Sequence, residues 1–408
     1  MDKNFLEQIN KDKLSLVYQS CPNCFNPTLS LFYSVPAVPI NSVLLLKSRD
    51  EALSFLKGDV NLAFCENCGF ITNISFQKDL IEYSSRYEET QGFSGTFTKF
   101  HNRLANYLID KYDLRGKKIV EIGCGKGEFI ALLCEMGQNY GIGIDPTFLP
   151  DRKPEIKQGE VEYIADWYSK KYADLDASLY ICKMTLEHIP QTNEFLSMVR
   201  ETIGNRKDAK VFFQVPEVTR ILEECAFWDI FYEHCSYFSA DSIVNLFHLT
   251  GFDVKNVWTG YDDQYLMIEA SPLLLGTSNS IGLRSSTIKN LVDNFSKTVN
   301  LTINQWVEKI NLLRKNGKKI VVWGGSSKTV SFLTTLNIPY SLIEFVVDIN
   351  PYKNGTYLAG SGQQVVLPEF LQEYQPDIVL LMNPIYQKEV SQNLADLGLN
   401  PRLILVNE

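Results

Sequence analysis

Lys117-Lys-Ile-Val-Glu121-Ile-Gly123-Cys-Gly125-Lys-Gly127-Glu-Phe-Ile-Ala-Leu-Leu133 reads as a strand, a glycine turn and a helix. Ile119, Val120 and Ile122 supply the strand, and Phe129 to Met136 the helix. The alternation continues downstream. Tyr140-Gly-Ile-Gly-Ile-Asp145 is a second strand, ending in an acid 24 residues after Glu121. Glu162-Tyr-Ile164 is a third, running into Ala165-Asp166-Trp167. Ala177 to Cys182 is a fourth, leading into Lys183-Met-Thr-Leu-Glu-His188-Ile-Pro190. Upstream, Phe100, Leu104, Tyr107 and Leu108 give Phe97–Tyr112 a helical spacing. Strands alternating with helices predict a parallel, doubly wound sheet in an α/β fold.

In such a sheet the ligand lies beyond the carboxyl ends of the strands. The glycines let backbone approach it, and Asp145 is placed to take both hydroxyls of a ribose. A dinucleotide and S-adenosylmethionine both meet that description. Glu121 faces a cationic amino acid better than a pyrophosphate. The turn is Gly-x-Gly-x-Gly, without the third glycine spacing of the dinucleotide fingerprint. Asp166 offers an acceptor for an adenine amine, with Trp167 as an apolar wall. The order Glu121, Gly123, Gly125, Gly127, Asp145, Asp166 and Trp167 on successive strand ends predicts S-adenosylmethionine, and Met184, at the end of the fourth strand, joins them as a cofactor contact.

Cys21-Pro-Asn-Cys24 and Cys65-Glu-Asn-Cys68 are two Cys-x-x-Cys knuckles. Together they offer four thiolates to a tetrahedral Zn²⁺. Four thiolates leave no open coordination position, so the ion is expected to be structural. A disulfide pair and a redox motif are the alternatives; the doubled spacing favours metal.

The chain has 408 residues, enough for two or three domains, and a net charge of −9 without a Lys/Arg run. That balance disfavours nucleic acid as a partner. No apolar run reaches the 18 or so residues of a membrane span, and the acidic N-terminus lacks the apolar core of a signal peptide. A cytoplasmic protein with no membrane partner is expected. Three domains are expected: zinc-binding (1–80), cofactor-binding (81–270) and a C-terminal α/β domain (271–408). The last opens with a Ser/Gly/Thr-rich linker to Ser286 and a helix over Thr287–Lys315, its apolar stripe running from Val292 and Phe295 to Ile310 and Leu313. Lys319 to Trp323, Glu344 to Asp348 and Asp377 to Met382 then repeat the strand theme. Backbone amides at the Gly324–Ser327 turn, with Lys328, are suited to hold a phosphate.

This arrangement resembles the three-part, zinc-containing sugar C-methyltransferases. Glu121-Ile-Gly-Cys-Gly-Lys-Gly127 matches that family's cofactor turn, Leu186-Glu-His188-Ile-Pro190 its histidine stretch, and Val211-Phe-Phe-Gln-Val-Pro216 the strand that follows. Tyr232-Glu233-His234-Cys-Ser236-Tyr237-Phe238-Ser239 matches its most diagnostic signature, and Val347-Asp348-Ile-Asn350-Pro351-Tyr-Lys353-Asn-Gly355 its C-terminal one. The resemblance implies a class I methyltransferase core, an N-terminal four-cysteine domain and a C-terminal Rossmann-like domain. It further implies transfer of methyl from S-adenosylmethionine to carbon of a nucleotide-linked keto-deoxysugar. One departure stands out. Phe231 occupies the place of a family tyrosine and Tyr232 that of a histidine, which leaves methylation of oxygen or nitrogen as the alternative.

The segment Glu223 to Ser239 is dense in polar and aromatic groups. A neutral imidazole can remove a proton next to a ketone, and a neighbouring carboxylate can orient it. His234 is therefore the expected base and Glu233 its partner or a substrate ligand. Tyr232 is expected to supply the phenol missing at Phe231, and His188 to stand nearby. The Tyr83–Gln91 segment suits hydroxyl recognition through Tyr87, and the resemblance points Lys328 to a substrate diphosphate. His101 and His248, in helical patterns, are expected to be surface or packing residues.

Overall fold

A computed structural model describes residues 20–273 and 287–408. The acidic N-terminal stretch and most of the expected linker lie outside the described residues.

Strands β1 (Ser30–Pro39), β2 (Lys57–Phe64) and β3 (Ile71–Asn73) form an antiparallel meander. The chain then lays down β4 (Lys118–Ile122), β5 (Tyr140–Ile144), β6 (Glu160–Ile164), β7 (Leu179–Lys183) and β8 (Lys210–Pro216). The short β9 (Ser236–Tyr237) follows, then β10 (Phe252–Gly260) and β11 (Tyr265–Pro272). The central sheet has the order β10-β11-β8-β7-β4-β5-β6. Its β4 to β8 strands run parallel, as their alternation with helices requires, whereas β10–β11 form a hairpin added antiparallel to β8. Tyr265 to Ala270 of β11 are all buried, without the period-two pattern of a half-buried strand and with no crossover helix to mark them, so this edge was not foreseen.

The parallel strands β4, β5, β7 and β8 are buried on both faces, as covering helices demand, whereas the edge strand β6 is half exposed. Helices Gly95–Tyr112 and Glu128–Gly137 lie on one face, contributing Leu104, Leu108, Ile130 and Leu133 to a shared core. Helices Thr192–Ile203 and Ala240–Leu249 cover the other with Leu196, Val199, Ile243 and Phe247.

The expected boundary near residue 80 is not a clean one. β3 pairs with β9, so the N-terminal sheet is completed by the central segment. Cys21, Cys65 and Cys68 pack in the same core as Phe70, Phe238 and Ile243. Asn23 ties the first knuckle to the Ser242 carbonyl (3.0 Å) and accepts from Thr192 Oγ1 (3.1 Å).

The last third opens with helix Lys289–Lys315. Of its apolar stripe, Val292, Phe295, Val299, Trp306 and Ile310 are buried. Phe295 meets Tyr33 of β1 edge to face at 5.2 Å. Strands β12 (Ile320–Trp323), β13 (Phe345–Val347), β14 (Gln364–Val366), β15 (Ile378–Leu381) and β16 (Arg402–Leu405) form a second sheet. Its order is β14-β13-β12-β15-β16, parallel throughout.

Candidate active site

The carboxyl ends of both parallel sheets and the segments that follow β1 and β3 surround a cavity of about 830 Å³. Its wall includes Glu121, Gly123, Gly125, Asp145 and Met184 from the central sheet, with Tyr87 from the connecting segment. His188, Phe231, Glu233 and His234 contribute from the following loops, and Lys328 from the C-terminal domain. Most of the residues singled out in sequence thus converge on one space.

The glycine turn leaves β4 with Gly125 at φ +55°, and the Gly125 amide donates to Asp145 Oδ2 at 2.9 Å. The other Asp145 oxygen accepts from the Thr147 amide (2.7 Å) and hydroxyl (2.6 Å). These bonds fix the direction in which the carboxylate points. Gly127 does not line the cavity. It precedes helix Glu128–Gly137 at φ +82°, where a β-carbon would stand 2.2 Å from the Tyr163 ring, so its glycine serves packing.

Glu121 is buried, and its Oε2 has no hydrogen-bond partner among the described residues. Burial pushes its carboxyl up, while attraction to Lys183 opposes that shift. Burial pushes the Lys183 ammonium down, opposed by Glu121. Lys183 lies over the Phe129 ring at 3.9 Å and 3.0 Å from His101 Nε2. His101 corrects the expectation of a surface or packing residue: it lines the cavity, and burial with the Lys183 charge lowers it to about 2. Lys183 was missed because a lysine ending a buried strand carries no local pattern; only its place beside Glu121 gives it meaning. His248 lies in the Ala240–Leu249 helix, away from the cavity wall.

Asp166 also departs from expectation. It is not part of the cavity wall; Lys171 and the Tyr172 hydroxyl (2.6 Å) take its carboxylate and lower it to about 2. Trp167 stands at the mouth, 57% exposed and edge-on to Tyr83 at 5.5 Å.

On the opposite wall, Glu233 is fully buried, and burial raises its carboxyl. Its Oε2 accepts from the Ser42 amide (2.9 Å) and hydroxyl, and its Oε1 from Asn41 Nδ2 (3.3 Å). The N-terminal domain thus positions this carboxylate. His234 is 9% exposed, packed on Phe231 at 4.0 Å and edge-on to His188 at 4.9 Å. Burial, then His188, then Lys328 hold it well below its ordinary range, so it is neutral near pH 7. Burial also lowers His188, to about 4.

Tyr232 does not supply the missing phenol. Its ring is buried against Phe76 at 5.4 Å, and its hydroxyl accepts from the Gln77 amide at 2.9 Å, outside the cavity. In the turn at 232–233 the Tyr232 side chain points away from the cavity, whereas Phe231, Glu233 and His234 line it. Phe231 therefore presents an apolar edge to the cavity, beside the hydroxyl-bearing Tyr83, Tyr87 and Tyr265.

Lys328 lines the cavity in an ion pair with Asp229, which also accepts from Arg220 Nη2 at 2.6 Å. The Gly325 amide is taken by Asp348 Oδ2 (2.8 Å), and Lys353 Nζ bonds the Gly325 carbonyl (3.0 Å). The second glycine turn is thus braced within its own domain rather than left with every amide free for phosphate.

Two donor sets bear on bound groups. Cys21 and Cys68 sulfurs are 3.7 Å apart, as are those of Cys24 and Cys65. A tetrahedral ion with bonds of about 2.3 Å sets sulfurs about 3.8 Å apart, so the four fit one metal ion far better than a disulfide. The unpartnered Glu121 oxygen, the fixed Asp145 carboxylate and the glycine backbone between them fit a ligand with a cationic end and a ribose.

The residues 93–257 match the methyltransferase domain model, and 280–401 match the C-methyltransferase C-terminal domain model. The chain is 24% identical over 370 residues, 86% of each chain, to the C-methyltransferase NovU of Streptomyces niveus. Among solved structures it aligns with 1,6-didemethyltoxoflavin-N1-methyltransferase of Burkholderia thailandensis, at 15% identity over 44% of this chain and 81% of that one (TM-score 0.32). It also aligns with magnesium protoporphyrin IX methyltransferase of Synechocystis PCC 6803, at 15% identity over 43% and 84% (TM-score 0.33). The glycine turn, the acid after β5 and the two matched domains identify the chain as an S-adenosylmethionine-dependent methyltransferase that carries the C-terminal domain of the C-methyltransferases.

Proposed function

We propose that this enzyme methylates a carbon atom next to the carbonyl of a nucleotide-linked keto sugar. The observation that carries the reading is the neutral, buried His234 on the wall of the cavity, beside a Glu233 held by Asn41 and Ser42. S-adenosylmethionine supplies the electrophilic methyl group when bound. Asp145 would hold its ribose, and Glu121 with Lys183 offers both signs of charge to its zwitterionic end. His234 removes the α-proton of the substrate, and the resulting enolate carbon would take the methyl group as its bond to the sulfonium breaks, with S-adenosylhomocysteine as the leaving group. Tyr83, Tyr87 and Gln91 face the cavity as hydroxyl partners for the sugar. Lys328 and Arg220, paired with Asp229, form the cationic wall nearest the C-terminal domain and serve a diphosphate. The four cysteines hold a structural Zn²⁺ that ties both knuckles to the central domain. NovU, a C-methyltransferase by name, and the matched C-terminal domain support carbon as the acceptor.

Phe231 favours a second reading, methylation of oxygen or nitrogen, because it removes a hydroxyl from the wall. The two separate on product chemistry. With an α-deuterated keto sugar, carbon methylation loses the label, and the methyl group survives acid hydrolysis to the free sugar. Retention of deuterium in methylated product overturns the proposal.

A further inference from the structure

Glu187 has no part in the chemistry above, yet it lies on the cavity wall and is only 1% exposed. Among the described residues, neither of its carboxyl oxygens has a hydrogen-bond partner from another residue. The Nδ1 of its neighbour His188 is buried and has no hydrogen-bond partner among the described residues either. A buried polar atom without a partner is costly, and three in adjacent side chains call for something that satisfies them. The 3-10 turn Leu186–His188 presents both side chains to the same space as His234. One donor atom from each of Glu187, His188 and His234 lies within 4.8 Å of the others.

Two imidazoles and one carboxylate are the donor set that holds Zn²⁺, Co²⁺ or Fe²⁺ while leaving positions open to solvent or substrate. Bonds of about 2.0–2.2 Å set neighbouring donors about 3–3.5 Å apart, so a small side-chain rotation closes the set. The Glu187 oxygens and His188 Nδ1 have no hydrogen bonds to other described residues to give up in that movement. Mg²⁺ and Ca²⁺ prefer all-oxygen shells and are disfavoured by the imidazoles.

We propose that Glu187, His188 and His234 form a second metal site, for a divalent transition ion, on the wall of the active-site cavity, and that the ion competes with the substrate proton for His234. The competition rests on His234 being the base; the site itself does not. A coordinated imidazole has its lone pair in the metal bond and none left for a proton, so the bound ion inhibits reversibly.

The test uses full-length enzyme with its cysteine site filled by zinc, titrated with Co²⁺ alone. One further equivalent should bind, giving visible ligand-field absorption without a new sulfur-to-cobalt charge-transfer band. Glu187→Gln should weaken that binding about tenfold or more, since even outer partners of metal ligands are worth about 10–100-fold. Glu187→Asp, which keeps the charge and shortens the reach, gives a second measure if the glutamine variant folds poorly. Turnover should fall over the same Co²⁺ range, recover with chelator, and be less metal-sensitive in the variant. If zinc-loaded wild type takes up no further Co²⁺, or if Glu187→Gln and Glu187→Asp bind it with wild-type affinity, the site is overturned. Substrate deuterium exchange in chelator reports the base separately. Full exchange in Co²⁺-saturated enzyme overturns the competition while the site stands.

Discussion

The imidazoles of His188 and His234 meet edge to face with centroids 4.9 Å apart, inside a cavity that all three parts of the chain enclose. His234 is buried and His188 half-buried; burial lowers both, and His188 further lowers the readiness of His234 to hold a proton. His234→Asn is therefore expected to keep fold and cofactor binding while turnover falls about 10²–10⁴-fold, the size of a general-base contribution. Exchange of the substrate's α-deuterium with solvent, followed with S-adenosylhomocysteine in place of the donor, should vanish with it. Exchange at the wild-type rate in the variant moves the base to another group.

Asp145 is held by three donors and stands at the end of β5. Asp145→Ala leaves those donors unanswered and removes the acceptor for the ribose, a loss of about 1–3 kcal/mol in cofactor binding. Calorimetry of S-adenosylhomocysteine binding checks this; unchanged affinity removes Asp145 from the site.

Cys65→Ser should release zinc and lower the melting temperature of the whole enzyme, because the knuckles pack in the central core rather than in a separate lobe. Elemental analysis of freshly purified wild type is expected to give one zinc per chain. A variant with full zinc content and wild-type melting contradicts the role.

His101 gives stability a sign with pH. Its folded-state affinity for protons is depressed to about 2, against about 6.5 when unfolded. Between those values the unfolded chain binds a proton that the native one does not, so stability is present above pH 6.5 and lost as pH falls. From pH 6.5 to 5 the loss is about 2 kcal/mol. His101→Gln should flatten the melting temperature against pH in that window, and an unchanged slope refutes it.

Tyr232→Phe tests where the phenol points. Losing the acceptor for the Gln77 amide should cost about 1–3 kcal/mol of stability, with kcat unchanged. A large drop in kcat without loss of stability places Tyr232 in the chemistry after all. Urea denaturation and steady-state kinetics on one preparation distinguish the two.

The parallel strands β4, β5, β6 and β7, the helix stripe from Val292 to Ile310 and the four-cysteine knuckles were legible in the sequence. Periodicity, glycine turns and Cys-x-x-Cys spacing are local signals, written within a few residues of where they act. So were Glu121, Asp145 and His234, because the ends of strands and a dense polar segment mark them along the chain. Burial and pairing across distance were not legible. β9 takes its partner from a strand more than 160 residues away, and the hairpin β10–β11 joins the sheet edge by hydrogen bonds that no pattern announces. Only tertiary structure turned Tyr232 out and Phe231 in, gave Asp166 to Lys171, and set His101 against Lys183. The physical reason is the same in each case. A side chain's neighbours in space fix its solvation and its charge partners, and in a three-part cavity those neighbours come from segments that the sequence keeps far apart.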